Sequence, residues 1–302
     1  MYDLFCLGGA SLDLILRVPH LPEPDEKLVA RFEGRAAGGL ISNAACAAAR
    51  LGLRTGWSGQ IGADDGGRLM LAEFEKFGVQ AGETVIRPGE TTDFCVILLE
   101  PGGERTILVV NTIAGDPPLT DGVLAALRQT RRVYTMPRGE AWFKPVAAAV
   151  HAAGGQVVVD LEASSPVRGA ALQAALCQTD IVFTNRGGLA LVSGGEDVQA
   201  GAEALLSLGV ALVVVTLGKQ GAAALTRGEV CSAPGYAVPV VDATGAGDCF
   251  HAAYLKALAG GLPPAECLRF ANAAAALKVQ HLGPRGGLPD EAAVRAFLQA
   301  QE

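Results

Sequence analysis

The segment of the sequence best able to do chemistry is an acid- and glycine-rich stretch in its C-terminal third. It reads Asp242-Ala243-Thr244-Gly245-Ala246-Gly247-Asp248 and is followed by apolar residues that predict a helix. Gly245 and Gly247 let the backbone turn tightly and approach a ligand closely. A helix that starts here directs free N–H groups and the positive end of its dipole outward. The stretch is therefore predicted to hold an anion.

A carboxylate among anion-binding amides is unexpected for simple binding, because it repels phosphate. Asp248 is explained if it takes a proton from an attacking hydroxyl group. The amides of Gly245, Ala246 and Gly247 would then hold the charge of the phosphoryl group in transfer. The alternative is an ordinary Asp N-cap at a strand-to-helix turn. We favour a phosphotransferase with Asp248 as its catalytic base.

Other phosphate- and metal-binding patterns are missing from the sequence. There is no G-x-x-x-x-G-K-[ST], so a P-loop is excluded. H-R-D and D-F-G are also absent, which excludes a protein kinase. Phe250 stands where a dinucleotide-binding fingerprint needs a third small residue. The four histidines do not have the spacing of metal ligands.

Composition narrows the class of protein further. Of the 302 residues 50% are hydrophobic, which allows a large core, and the net charge of −7 disfavours a nucleic-acid partner. The seven cysteines are scattered, as expected for reduced thiols in a cytoplasmic protein. No signal peptide precedes the first strand, and no apolar run reaches the ~18 residues of a membrane span. We expect a cytoplasmic protein with no membrane partner.

The elements that must position Asp248 alternate between short apolar strands and Ala- and Leu-rich helices. Such alternation predicts parallel βαβ units, and hence an α/β fold whose sheet is covered on both faces. The predicted strands are Leu4–Gly8, Thr55–Gly59, Val133–Met136, Val157–Leu161, Ile181–Thr184 and Leu212–Leu217. The predicted helices are Ser42–Leu51, Gly67–Phe77, Glu140–Ala153, Val198–Leu208, Asp248–Ala259, Pro264–Gln280 and Asp290–Gln299. Ala222–Thr226 and Glu229–Ser232 flank a turn and suit an antiparallel edge.

Two segments depart from this alternation. Phe94–Leu99 and Thr106–Val110, joined by the turn Pro101-Gly102-Gly103-Glu104, predict a hairpin without a crossover helix. Residues 12–34 read as extended pieces interrupted by prolines. We therefore predict one domain over residues 1–302, with a small β-sheet lid formed by about 12–34 and 91–113. The exposed faces of the hairpin could pair between chains, so a homodimer is expected.

The sequence resembles the ribokinase/PfkB family of carbohydrate kinases over nearly its whole length. The stretch 242–248 matches the family signature D-x-T-G-A-G-D. Gly38-Gly39 followed by Asn43 resembles the family's substrate motif. Asp13, after Gly8-Gly9 at the end of the first strand, stands where the family places a carboxylate on substrate hydroxyls. The resemblance implies a ribokinase-like three-layer α/β/α sandwich with a lid, and a sugar substrate, ATP and Mg²⁺.

The resemblance also assigns a nucleotide side. Thr216-Leu217-Gly218-Lys219-Gln220-Gly221 follows a strand as the family's adenine-nucleotide loop does, which implicates Thr216, Gly218 and Gly221. Asn272 and the turn 283–287 would complete the wall.

One family motif is altered in this sequence. The family commonly carries N-x-x-E after a strand, and its Glu organises magnesium and phosphate. Here Asn185, which the resemblance places among the nucleotide-binding residues, is followed at the third position by Gly188. Some members also bind a monovalent cation such as K⁺ beside the residue that matches Asp242. Gly287 offers no side-chain oxygen for such an ion, so both metal assignments are left open.

Three residues bear on the substrate. By resemblance, Lys27, Asn111 and Arg138 lie in segments that line the sugar pocket. A Lys, an amide and an Arg suit a phosphate or sulfonate. These positions, the surroundings of His251 and the missing Glu are similar to sulfofructose kinases within the family. We expect an anionic ketose phosphorylated on its terminal hydroxymethyl; the alternatives are a neutral sugar or nucleoside, or a non-catalytic sugar- or nucleotide-binding regulator.

Overall fold

The computed structural model of the protein describes residues 1–101 and 104–301. The strands over these residues are β1 (Leu4–Leu7), β2 (Ser11–Arg17), β3 (Arg31–Gly38), β4 (Thr55–Ser58), β5 (Gln60–Gly62), β6 (Val85–Arg87), β7 (Phe94–Leu99), β8 (Arg105–Val110), β9 (Arg132–Thr135), β10 (Gln156–Leu161), β11 (Ile181–Asn185), β12 (Leu212–Thr216), β13 (Ala222–Leu225) and β14 (Val230–Ala233). The α-helices are α1 (Leu40–Arg50), α2 (Asp65–Phe77), α3 (Asp121–Leu127), α4 (Glu140–Ala152), α5 (Gly169–Leu176), α6 (Arg186–Ser193), α7 (Val198–Ser207), α8 (Ala246–Ala259), α9 (Pro264–Lys278) and α10 (Glu291–Gln299).

Eight strands form the main sheet, in the order β14-β13-β12-β11-β10-β9-β1-β4. The strands from β12 to β4 pair in parallel, and β13 and β14 form the predicted antiparallel edge. Residues 157–161 on β10 are fully buried because helices cover both faces of the sheet. One buried cluster joins the sheet to α1, α2, α8 and α9; the other joins it to α3, α4, α5 and α7. This is the expected α/β/α sandwich.

The predicted elements are present with their ends shifted by one or two residues. Two of the shifts affect the candidate site: α1 begins at Leu40 rather than Ser42, and α8 begins at Ala246 rather than Asp248. Sequence patterns did not predict α3, α5 or α6, which are only seven or eight residues long. So few residues show too little helical periodicity to be recognised.

A second sheet has the strand order β3-β2-β7-β8 and is separate from the main sheet. Its strands β7 and β8 form the predicted hairpin, although Gly102 and Gly103 of the predicted turn lie outside the described residues. Strands β2 and β3 take the place of the extended pieces predicted at 12–34, and they reach from residue 11 to residue 38. That this sheet acts as a lid stays a prediction.

The parallel strands bring their carboxyl ends to one edge of the main sheet. In an open α/β sheet this edge is where ligands bind. At this edge Gly8 follows β1, Arg138 lies soon after β9, Glu162 follows β10, and the loop at Leu217 follows β12. Among the described residues, no helix has both the length and the apolar character needed to cross a membrane.

Candidate active site

Asp248 lies in the first turn of α8 and is only 4% exposed. The N-cap residue of this helix is Gly245 in a left-handed conformation, with φ of 77°, so Asp248 is not an ordinary N-cap. Gly245 also packs closely: a Cβ there would lie 2.3 Å from the carbonyl oxygen of Pro284. The first N–H groups of α8 have no partner within the helix, although the N–H of Ala246 donates to the carbonyl oxygen of Ala243 at 3.2 Å. A buried carboxylate and an anion site therefore share one helix end.

Asp248 has a hydrogen-bond donor in Asn43. Burial raises the pKa of Asp248 to about 7, and the hydrogen bond from Asn43 opposes this effect. Asn43 Nδ2 donates to Asp248 Oδ2 at 2.9 Å from the first turns of α1. A carboxyl whose pKa is near 7 can accept a proton at neutral pH, as a general base must.

Arg285 fixes the orientation of the Asn43 amide. Its Nε donates to Asn43 Oδ1 at 3.0 Å, which directs the amide nitrogen of Asn43 toward Asp248. Its Nη2 donates to the carbonyl oxygen of Gly38 at 3.3 Å and to Ser42 Oγ at 3.0 Å. Arg285 was not among the residues predicted for the site. The only indication in the sequence was that Arg285 is a cation in the turn 283–287. The resemblance assigned that turn to the wall of the nucleotide site.

Asp13 and the two glycines are brought together as predicted, although Asp13 lies on β2 rather than at the end of β1. A Cβ on Gly38 would lie 2.4 Å from Asp13 Oδ2, so only glycine fits beside this carboxylate. Gly39 has a φ of 95° and leads directly into α1. Burial raises the pKa of Asp13 to about 6, and the positive charge of Arg285 opposes the shift. Asp13, Gly38 and Gly39 thus lie close to the Asn43–Asp248 pair, and Arg285 joins the two groups.

A buried polar network lies one helical turn after Asp248. Tyr134 Oη donates to Asp160 Oδ2 at 2.8 Å and is also 2.8 Å from His251 Nδ1. Burial lowers the pKa of His251, but the nearby Asp160 carboxylate outweighs it and leaves that pKa raised. The resemblance had pointed to the surroundings of His251, but Tyr134 and Asp160 were not predicted as its partners.

The position of the altered family motif is closely packed. A Cβ on Gly188 would lie 2.0 Å from the carbonyl oxygen of Leu161 and 2.2 Å from Thr184 Oγ1, so no larger side chain fits. Asn185 caps α6, and its Oδ1 accepts from the Gly188 N–H at 3.0 Å. The next residue after Leu161 is Glu162, whose pKa burial and Asp160 raise to about 6.

Glu162 is close enough to raise the pKa of Asp248 as well. Mg²⁺ is usually held by one or two carboxylates together with nucleotide phosphates. Within the described part of the chain, no cluster of three His, Cys, Asp or Glu residues could hold a metal alone. The site therefore fits a magnesium ion that arrives with ATP, and Glu162 is the carboxylate available to it.

The predicted nucleotide residues follow β12. Thr216 ends this strand, and Gly218 begins a single 3₁₀ turn that Gly221 closes with φ of 93°. A Cβ on Gly221 would lie 2.1 Å from the Ala233 carbonyl oxygen. Asn272 Nδ2 donates to the carbonyl oxygens of residues 233 and 234, each at 3.1 Å. Asn272 thus secures the backbone behind this loop.

The three residues predicted to meet an anion lie in separate segments. Arg138 is mostly buried, pairs through Nη1 with Asp116 and stacks on the ring of Trp142 at 5.2 Å. Asn111 is exposed just after β8, and Lys27 is exposed between β2 and β3. No hydrogen bond joins the three among the residues that the structure describes. The ion pair with Asp116 was not predicted. It places a carboxylate of the protein beside Arg138, where the sequence had predicted only cations and an amide.

Asp242 ties the catalytic loop to its neighbours. Its Oδ1 accepts from the N–H of Thr244 at 2.8 Å and from Arg105 Nη1 at 3.1 Å, and its Oδ2 accepts from the N–H of Gly283 at 2.9 Å. Burial raises the pKa of Asp242, but these hydrogen bonds outweigh it and hold the pKa below its usual value. Arg105 belongs to β8, so the smaller sheet contacts the catalytic loop directly.

Comparisons with known proteins identify the family and the fold of this chain. The chain is 30% identical to ribokinase of Arabidopsis thaliana over 98% of this chain and 81% of that protein, and 29% identical to fructokinase of Klebsiella pneumoniae over 95% and 96%. The structure of Arabidopsis thaliana ribokinase complexed with ribose and ATP covers 99% of both chains with a TM-score of 0.87. This match confirms the predicted ribokinase-like fold. A model of the pfkB family of carbohydrate kinases matches residues 1–291, and the chain belongs to that family.

Proposed function

We propose that the chain transfers the γ-phosphoryl group of ATP to the terminal hydroxymethyl group of a sugar, with Asp248 as the catalytic base. The observation that carries this proposal is the buried Asp248 carboxylate at the N-terminus of α8, with its pKa near neutrality and Asn43 as its partner. Relatives support the choice of ligands, since ribokinase has been solved with ribose and ATP.

The reaction follows from the arrangement. The substrate hydroxyl gives its proton to Asp248 as its oxygen attacks the γ-phosphorus, and the bond from that phosphorus to the bridging oxygen of ADP breaks. The N–H groups of Gly245, Ala246 and Gly247 hold the charge on the phosphoryl oxygens. Asp13 accepts hydrogen bonds from other sugar hydroxyls. Magnesium, when bound, neutralises the phosphates.

We further propose that the sugar is an anionic ketose, carrying a sulfonate or a phosphate. Arg138 Nε is buried and has no hydrogen-bond partner among the described residues, so it is a free donor. Lys27 and Asn111 add a cation and an amide from the smaller sheet and its loops. Charged hydrogen bonds of this kind are worth about 1.5–3 kcal/mol each.

A neutral sugar or nucleoside is the second candidate, and one observation favours it. Asp116 already neutralises part of the Arg138 charge, and the relatives named ribokinase and fructokinase point to unmodified sugars. A non-catalytic regulator is less consistent with the site, since pure binding gives no use for a buried base among phosphate-binding amides.

A substrate panel with Arg138→Ala tests the choice. Wild type should prefer sulfo- or phosphoketoses over fructose and ribose, and Arg138→Ala should raise KM for the anionic sugars by roughly 10–100-fold. Arg295→Ala removes an exposed arginine of α10 that pairs with Glu291 and serves as the control. If wild type prefers a neutral sugar and Arg138→Ala leaves that preference unchanged, the anionic substrate is wrong and the kinase assignment stands.

We also propose that the chain forms a homodimer through the smaller sheet. Ile107 and Val109 share one face of β8 and are 44% and 65% exposed, and Leu108 on the opposite face is 52% exposed, so this edge strand offers apolar side chains to a second copy. Light scattering after size-exclusion chromatography tests this. Leu108→Lys should shift the mass from dimer to monomer, whereas a wild-type monomer would rule out the pairing.

A further inference from the structure

Lys278, the last residue of α9, is completely buried. Its ammonium donates to the carbonyl oxygen of Asp242 at 3.0 Å and to that of His281 at 3.5 Å. A buried ammonium is costly unless oxygen atoms replace the water around it. The end of α9 helps, because a helix C-terminus favours a cation.

The two carbonyl groups bound by Lys278 belong to the segments that shape the catalytic site. Asp242 opens the loop that leads to Asp248. His281 opens the turn whose Gly283 N–H binds the Asp242 carboxylate and whose Arg285 orients Asn43. The ammonium therefore joins the anion-binding loop to the turn that holds the partner of the base.

Carbonyl oxygens around a carboxylate are also the ligands that a monovalent cation takes. Around Asp242 these oxygen atoms already accept hydrogen bonds from the Lys278 ammonium and the Arg105 guanidinium. Lys278 is close enough to Asp242 for each to shift the pKa of the other, and Arg105 both binds the Asp242 carboxylate and lies close enough to Lys278 to lower its pKa. A third cation would be repelled by these two. The residues present do not fit the K⁺ ion that the resemblance left open beside Asp242.

We propose that the Lys278 ammonium is a built-in cation that holds the catalytic loop in place, so that this kinase folds and works without a monovalent metal ion. The proposal concerns the loop and does not depend on which sugar is accepted.

The first test uses the wild-type chain. Its thermal unfolding midpoint is measured in potassium, sodium and tetramethylammonium chloride at equal ionic strength, together with KM for ATP and kcat. We expect the midpoints to agree and the kinetic constants to vary by less than about twofold. An ion held at about 100 times its dissociation constant would raise the midpoint by roughly 5 °C. A saturable rise specific to K⁺ would overturn the proposal.

The second test removes the ammonium. Lys278→Ala leaves the carbonyl oxygens of residues 242 and 281 unpaired in a cavity, and Lys278→Gln keeps most of the length and an N–H donor group without the charge. In tetramethylammonium buffer both should lose at least ~10-fold in kcat/KM, because a charged hydrogen-bonding group is lost. Potassium should restore part of the activity and raise the midpoint of Lys278→Ala.

The matched control is Lys256→Gln on α8, which loses an ion pair with Glu291 at 2.8 Å and should stay indifferent to potassium. Lys278→Gln with wild-type activity and an unchanged midpoint would show that the charge is not needed. If Lys278→Ala does not fold, the potassium titration of wild type still decides.

Discussion

The substitution Asn43→Ala should move the acid limb of the pH–rate profile to higher pH. The hydrogen bond from Asn43 Nδ2 stabilises the charged form of Asp248 and therefore opposes the effect of burial. With both effects present, the pKa of Asp248 is about 7. A base accepts a proton only when it is ionised, and wild-type activity should therefore fall below about pH 7. Without the hydrogen bond the pKa rises further, and the fall begins at higher pH.

The size of the effect follows from the bond that is lost. A hydrogen bond to a charged group is worth about 1.5–3 kcal/mol, and a change of one pH unit in pKa corresponds to about 1.4 kcal/mol. The acid limb should move up by about one to two pH units, to near pH 8–9. At pH 7, where about half of the wild-type base is ionised, the rate should fall by roughly 5–50-fold, and alkaline buffer should recover most of it.

The assay is kcat and kcat/KM measured across the neutral and alkaline range. Arg285→Met keeps Asn43 but releases its amide, so the limb should move in the same direction by a smaller amount. Asn272→Ala removes another buried amide, one that contacts only backbone carbonyl groups, and should leave the limb in place. If Asn43→Ala lowers the rate equally at every pH, Asn43 does not set the pKa of Asp248.

Three further predictions concern the same site. Asp248→Asn should lose turnover by at least ~10²–10⁴-fold. The same variant should be more stable at pH 8, with a free energy of unfolding higher by up to about 4 kcal/mol and an unfolding midpoint at higher urea concentration. The pKa of Asp248 is 3.8 in the unfolded chain and about 7 in the folded one, so above pH 7 the folded state must bury a charge, and the amide removes that cost. Gly188→Ala should lower the free energy of unfolding by about 1–3 kcal/mol, since its Cβ meets the Leu161 carbonyl oxygen, whereas Gly195→Ala has open space and should not. Arg105→Ala should raise ATP hydrolysis relative to phosphoryl transfer, measured with and without sugar, because β8 loses its contact with the catalytic loop.

The parts of the fold that the sequence predicted are those with strong local patterns. The apolar run at 157–161 has the length and residue types of a buried parallel strand, and it is one. The signature at 242–248 carries its own turn and helix start. Short helices such as α5 are stabilised by packing on the sheet, and their own residues give little local signal.

Contacts between distant segments could not be predicted in the same way. Asn43 and Asp248 are 205 residues apart, and Arg285 reaches Asn43 across 242 residues. The resemblance placed the first two in one site but gave no hydrogen bond between them. It also gave no sign that Arg138 has a partner in Asp116, which changes the balance of charge at the far end of the pocket.

The glycine at position 188 shows how a missing motif residue can be misread. The family's Glu organises magnesium at this position. Its replacement by glycine was therefore the main support for the hypothesis of a non-catalytic regulator. In this fold α6 packs so closely on the end of β10 that only glycine fits at position 188, and the residue after the contacted Leu161 is the carboxylate Glu162. Glu162 acts on the same Asp248 electrostatically from the neighbouring strand. A carboxylate close to Asp248 is thus present just after β10, and Gly188 alone gives no reason to expect loss of catalysis.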